Sequence, residues 1–381
     1  MRLWWEAAAI ALIAVLVLAS PRLSAQEPES GPGFVLQGEG GLVTALLLDP
    51  ATPSTLYAAT ARGLYRSIDS GASWEARSRG LEGHSVLALA VDPASHILYA
   101  TTDTGGVYRS TDGGGVWAAA NVGLTSRYIG VVAVQGGAVY AGTEAGRIFR
   151  STDSGATWSE LTPLTTRVAV TAIAVDPQNP QLLLAGTNSE GIFRSTDGGV
   201  TWIHTAGQLS KGTIWSLAID PTKSATVYAT AHAGLFRSED SGVTWKGLHK
   251  SLKSWNVLAL AIDPKDPKTL YAATAIGIYK SIDTGNHWTM QNPDLYVSAL
   301  SLDPAAPSVV YAGTHLGVLK SVDAGQKWSP LRLAPDPNAP PPPTAATASS
   351  PRRSTAPTKP SMAGGRNAPN GSPPPESLPR P

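Results

Sequence analysis

Seven aspartates recur in one setting. Asp69, Asp112, Asp153, Asp197, Asp240, Asp283 and Asp323 each follow a serine by two positions and precede a glycine by two. A tryptophan stands five residues further on in every case: Trp74, Trp117, Trp158, Trp202, Trp245, Trp288 and Trp328, spaced 40–44 residues apart. A carboxylate in such a set can ligate a cation or staple a turn. Calcium needs a dense shell of six to eight oxygens, and one aspartate per turn does not supply it. A turn needs what is present: a carboxylate to accept amide hydrogen bonds, a glycine free to take positive φ, and a large apolar ring to pack against a neighbour. The repeated aspartates and tryptophans are therefore predicted to be structural.

Other groups could do chemistry because they do not repeat. Asp103 and Glu144, with Glu39 or Glu190 facing them, supply the carboxylates that a glycoside hydrolase would need about 5–10 Å apart. Arg62, Arg127 and Arg167 could form a trio around an anionic group. The seven histidines (84, 96, 204, 232, 249, 287 and 315) are single, with no His-x-His or Glu-x-x-His pair, so no metal site is predicted. Gly113-Gly114-Gly115 lies inside one of the repeated turns, and no phosphate-cradling or dinucleotide fingerprint occurs, so no cofactor is expected. The absence of cysteine excludes disulfides, thiolate metal sites and a cysteine nucleophile. Lys+Arg at 29 against Asp+Glu at 28 argues against nucleic acid and anionic membrane surfaces, which call for excess positive charge.

The elements that must position these groups read from the repeat. An alternating apolar run ends in Asp-Pro at Asp49, Asp92, Asp176, Asp220, Asp263 and Asp303; the third unit alone departs, with Gln135-Gly136 instead. A second short run follows, as in Leu56-Tyr57-Ala58-Ala59-Thr60, then a glycine-led third, as in Gly63-Leu64-Tyr65-Arg66-Ser67. The tryptophan opens a fourth. Four short strands per unit of 40–45 residues predict an all-β fold, a seven-bladed β-propeller with four antiparallel strands per blade. A solenoid would need capping repeats, and none is present.

The Ser-x-Asp-x-Gly-x-x-Trp unit resembles the Asp-box, or bacterial neuraminidase, repeat over residues 42–330. The whole chain is similar to exported single-ring propellers of the photosystem II assembly-factor type, and more distantly to sortilin-type, sialidase and xyloglucan-active propellers. That resemblance implies a non-catalytic scaffold that binds a protein partner, including a membrane complex, with a glycan or glycoside hydrolysis as the alternative. A sialidase would also need an amino-terminal Arg-Ile-Pro element, which is missing, and six blades. In such rings recognition falls on the face built by second-to-third-strand turns and blade connections. The candidate binding residues there are Arg62, Arg127, Tyr128, Arg167, Trp215, Trp255 and Tyr296, and the ring is expected to be a monomer.

Four segments are predicted. Residues 1–25, with Arg2 and an apolar run from Ala7 to Ala19, suit a signal peptide better than a span of about 20 residues. Residues 26–41 form a lead-in whose Phe34–Gln37 stretch is a candidate latch strand, and residues 42–334 form the propeller. Residues 335–381 hold 15 of the 31 prolines and are predicted to be disordered, because they cannot bury enough apolar surface to offset ordering.

Overall fold

A computed structural model of the chain describes residues 41–331 other than 206, 249–251 and 253–255. The expected signal segment, the latch at Phe34–Gln37, the proline-rich tail and Trp255 lie outside the described residues. Seven sheets form, each from four consecutive antiparallel strands. The first blade is typical: Val43–Leu48, Leu56–Thr60, Gly63–Ser67 and a short outer strand, Glu75–Ala76. Its second strand is buried throughout, and its first is buried at every position but Thr44. These runs read as continuously apolar because each blade is covered on both faces by its neighbours. In the third blade the inner pair, Ile129–Gln135 and Ala138–Thr143, is joined by Gly136-Gly137. Both glycines take positive φ (58° and 76°), as a two-residue hairpin requires, so this blade has no Asp-Pro loop.

The repeated box is a closed hydrogen-bond circuit. In blade 4, Ser195 Oγ donates to Asp197 Oδ1 (2.7 Å) and accepts from Gly199 N (2.8 Å). Thr201 then donates its amide to Oδ1 (2.9 Å) and its hydroxyl to Oδ2 (2.5 Å). Hydroxyls of Ser73, Thr157 and Thr201 lead the stabilisation of Asp69, Asp153 and Asp197, which are held at about 2. Where Val116 and Lys327 stand instead, only the backbone amide leads at Asp112 and Asp323, whose carboxyls are also lowered. Each lowered carboxyl stabilises the fold fully above its ordinary value of 3.8, and that contribution is lost as pH falls towards 2. Thermal melting should therefore fall steeply over this acid window, and Asp197→Asn should flatten the fall while lowering the melting temperature at neutral pH. An Asn variant as steep as the parent would sink this account.

The seams between blades repeat as well, through a residue whose role is not legible in a single unit. In six of the seven blades the cation before the box serine reaches the next blade's box. Arg66 donates to Gly113 O (3.2 Å), Arg109 to Ser154 O (2.8 Å), Arg194 to Ser241 O (2.7 Å) and Arg237 to Thr284 O (2.9 Å). Lys280 and Lys320 continue the series to Ala324 O and Ser70 O, at 3.0 Å each. Every acceptor sits between the box aspartate and glycine with φ between 57° and 70°, a left-handed conformation that turns its carbonyl out to the neighbour. In blade 3 Arg150 packs over the Tyr140 ring instead, at 5.8 Å.

The ring closes by the same contacts. Ser298 Oγ donates to Val43 O (2.7 Å), as Thr44 does to Val86 O (3.0 Å) and Thr171 to Ile214 O (2.6 Å). Val43, Leu46 and Leu48 of blade 1 share one buried cluster with Ala299, Tyr311 and Val318 of blade 7. Blade 7 completes its sheet with its own outer strand, Ser329–Leu331, so closure among the described residues is blade-on-blade packing without strand exchange.

Candidate functional site

Because strands alternate in direction, the Asp-Pro loops and the boxes share one face of the ring. The second-to-third-strand turns and the connections between blades share the other. On the box face the box aspartates are bonded within their own turns, and side chains such as Gln178 reach the next blade, donating to Pro221 O at 2.8 Å. The opposite face carries the residues that differ between blades, and its turns are held in place by backbone and amide bonds. Asn121 is an example: its Oδ1 accepts from Val107 N (2.8 Å) while its Nδ2 donates to Gly105 O (3.0 Å), tying the blade 2 turn to the connection that follows. In blade 4, Glu190 and Gly212 form an isolated parallel bridge, Gly212 N donates to Ser189 O (2.7 Å), and a short 3-10 turn, Gly207–Leu209, lies in the connection.

Three of the predicted binding residues converge on one turn. Arg127, Tyr128 and Arg167 are exposed on the two connections flanking blade 3, Tyr128 at 53 %. Glu144 N in the blade 3 turn donates to Tyr128 O (3.2 Å) on one side. On the other, a Cβ at Gly146 of the same turn would lie 2.5 Å from Thr166 O, next to Arg167. Arg62 is exposed on the blade 1 turn, away from this group. Tyr296 is half-buried before the inner strand of blade 7, edge-on to His315 at 6.5 Å, and burial raises its phenol.

Trp215 departs from expectation. It lies on the inner strand Ile214–Ile219 and not in a blade connection. It is the extra residue of a β-bulge, the position Thr44 and Ser298 hold in their blades. The nearly continuous apolar run hid the bulge, because it has no alternation whose phase an extra residue could shift. Trp255 cannot be placed among the described residues.

The described carboxylates considered for hydrolysis stand on the turns of successive blades 2, 3 and 4. Asp103 is half-buried, with Oδ1 accepting from Ser85 N (3.3 Å) and 3.6 Å from His84 Nδ1. Glu144 is exposed on blade 3, Glu190 belongs to the paired turn of blade 4, and Glu39 lies outside the described residues. Arg127 and Arg167 flank blade 3, and Arg62 stands on blade 1. Among the described residues no group of three or more His, Cys, Asp or Glu could hold a metal ion.

The fold and the layout of its two faces define a seven-bladed β-propeller. No family model and no curated protein matches the chain. Solved structures do, at the level of the fold. An ancestral GH74 enzyme superposes with a TM-score of 0.63 at 20% identity, over 74% of this chain and 45% of the enzyme. YCF48 from Cyanidioschyzon merolae gives a TM-score of 0.60 at 16% identity, over 75% of this chain and 96% of its own. A second YCF48 structure, bound to D1 peptide, gives 0.60 at 17% identity over 80% and 99%. The extracellular domain of a hybrid two-component system from B. thetaiotaomicron gives 0.60 at 15% identity, over 82% of this chain and 40% of its own. The chain thus spans under half of the GH74 enzyme and of the sensor domain, and nearly all of YCF48. The shared fold is compatible with catalysis and with plain binding.

Proposed function

We propose that this protein is an exported, monomeric recognition module without catalysis, which binds a protein segment on the face opposite the boxes. One observation carries this reading: Arg127, Tyr128 and Arg167 are solvent-facing, specific to their blades, and grouped on connections that backbone contacts tie to a common turn. Arginine and tyrosine are enriched at protein hot spots, and a preorganised surface spends little on ordering. YCF48, nearly the whole of which is matched by this chain, was solved with a peptide bound, which supports a protein partner. Export rests on the expected leader at residues 1–25, and the tail at 335–381 is read as a spacer.

The test is a pull-down from the exported fraction followed by an alanine scan against the captured partner. Arg127→Ala and Tyr128→Ala are each expected to cost about 2 kcal/mol of binding, roughly 30-fold in affinity. Box-face controls such as Val200→Ser should be silent. Loss confined to the controls would place recognition on the wrong face. Incubated with β-glucans, the mature protein should release no sugar; turnover abolished by Glu144→Gln would instead make it a glycoside hydrolase.

A further inference from the structure

The seam between blades 3 and 4 departs from the rest of the ring. By the pattern of the other seams, Arg150 would bond the carbonyl of Gly198, which lies between the aspartate and glycine of the blade 4 box. Gln181 explains why it does not. The space that a Cβ would take at Gly113, the counterpart in blade 2, is met by Arg66 Nη1 at 2.9 Å. At Gly198 the same space is met by Gln181 Oε1, also at 2.9 Å, and Gly198 N donates to Gln181 O (3.0 Å). A side chain of blade 4 itself thus fills the slot that an arginine enters elsewhere. Arg150 is left half-buried over the Tyr140 ring, and its Nε is shielded from solvent without a hydrogen-bond partner. Among the described residues its guanidinium makes no hydrogen bond and no ion pair.

Blade 3 also lacks the counter-charge that its siblings carry. Leu47 pairs with Tyr57, and Asp49 stands two residues on; Ala133 pairs with Tyr140, and Gln135 stands two residues on. A neutral amide therefore takes the place of the Asp-Pro aspartate. Burial raises the phenols of Tyr57, Tyr99, Tyr140 and Tyr228, but the charges acting on them differ. Tyr57 feels Arg66 with Asp49, Tyr99 feels Asp92 with Arg109, and Tyr228 feels Arg237 with Asp220. Tyr140 feels Arg150 alone. The acids of the adjoining box and outer strand are committed: Asp153 is bonded within its own turn, and Glu160 pairs with Arg147. Residues 206, 249–251 and 253–255, the undescribed ones within the ring, include no carboxylate.

The groups around this cation are neutral and free to bond. Gln135 is half-buried, Gln181 is exposed, and Ser159 stands exposed opposite Arg150 on the outer strand. The hairpin after Gln135 is bare as well: a Cβ on Gly136 or Gly137 would meet nothing within 4 Å. A partly desolvated guanidinium gains most from an anion whose planar fork accepts two of its N–H groups at once, as a carboxylate does.

We propose that the seam between blades 3 and 4 is a binding site for a small organic acid. Its carboxylate takes the place of the aspartate that blade 3 lacks and bonds the Arg150 guanidinium, with the Gln135 and Gln181 amides beside it. One guanidinium matches one carboxylate, so a single acid group suffices. The site lies on the box side of the ring and is separate from the protein-binding face argued above.

The probe is 13C-labelled acetate, followed by the broadening of its resonance as mature protein is added at pH 7 in dilute chloride. Broadening should saturate with Kd of about 10 mM, as one charge-assisted pair allows, and uncharged methyl acetate should show none. Arg150→Gln should weaken binding about tenfold or more, and Arg79→Gln, an exposed arginine elsewhere, should leave it unchanged. Gln135→Asp restores the sibling carboxylate and should likewise weaken acetate about tenfold, because the site is then filled from within. Gln181→Ser, the residue at the corresponding positions 54 and 308, should also weaken it by freeing Gly198 for Arg150. No saturable broadening, undiminished binding in Arg150→Gln, or unchanged affinity in Gln135→Asp overturns the proposal. Should Arg150→Gln fail to fold, Gln135→Asp decides, since the sibling blades accommodate aspartate at that place. Acetyl-Gly-Glu-Gly-amide is the second arm: if it binds and acetate does not, the assignment to a small acid is overturned.

Discussion

Tyr311→Ala is expected to destabilise the protein by about 4 kcal/mol, among the largest effects available to one substitution. The side chain is 1 % exposed and sits where blade 7 meets blade 1. It shares one buried cluster with Val43, Leu46 and Leu48, and Lys320 Nζ stands 5.4 Å from the ring centroid on its way to Ser70 O. Its hydroxyl donates to the same carbonyl at 3.3 Å. Alanine empties the seam that joins residues 241 apart in the chain, and the neighbouring blades cannot collapse into the gap without breaking register elsewhere in the ring. Tyr311→Phe keeps the ring and loses one long hydrogen bond, so it should cost only about 1 kcal/mol. Urea unfolding of the three proteins separates these outcomes. An alanine variant within 1 kcal/mol of the parent would mean that this seam does not close the ring.

Gly191→Ala should cost about 3 kcal/mol, through strain and overlap together. The residue has φ of 62°, and a Cβ there would lie 1.9 Å from Leu209 O, a backbone atom that cannot rotate aside. Its amide donates to Gly212 O (3.2 Å), so relief of the clash would separate the blade 4 turn from the connection that holds it. Gly136→Ala is the control. It shares the positive φ (58°) but meets nothing within 4 Å, so only the left-handed strain of about 1 kcal/mol remains. Equal costs at the two sites would show that close approach plays no part.

Much of the ring was legible because its instructions are local. The box acts within eight residues: Ser195, Asp197, Gly199 and Thr201 bond to one another, and their types state the turn without reference to any other blade. The apolar runs state the strands, and the double glycine in unit three states a tight hairpin. The candidate site was legible only as a set of positions that escape the repeat. Arg62, Arg127, Tyr128 and Arg167 fall on the face opposite the boxes by topology alone. Trp215 is assigned to a connection on sequence because a bulge leaves no phase shift to read in a run that is apolar almost throughout.

By itself, then, the sequence determined the unit, its sevenfold recurrence and the structural role of the repeated aspartates, all products of short-range turn chemistry and strand periodicity. Only the tertiary structure decided how units meet. The Arg66–Gly113 and Arg109–Ser154 bonds join residues 47 and 45 apart, and the Ser298–Val43 bond that closes the ring joins residues 255 apart. The grouping of Arg127, Tyr128 and Arg167 about the blade 3 turn and the bulge at Trp215 are of the same kind. Each depends on the angle between neighbouring blades, which is set by packing of side chains far apart in the chain, and no window of adjacent residues encodes it.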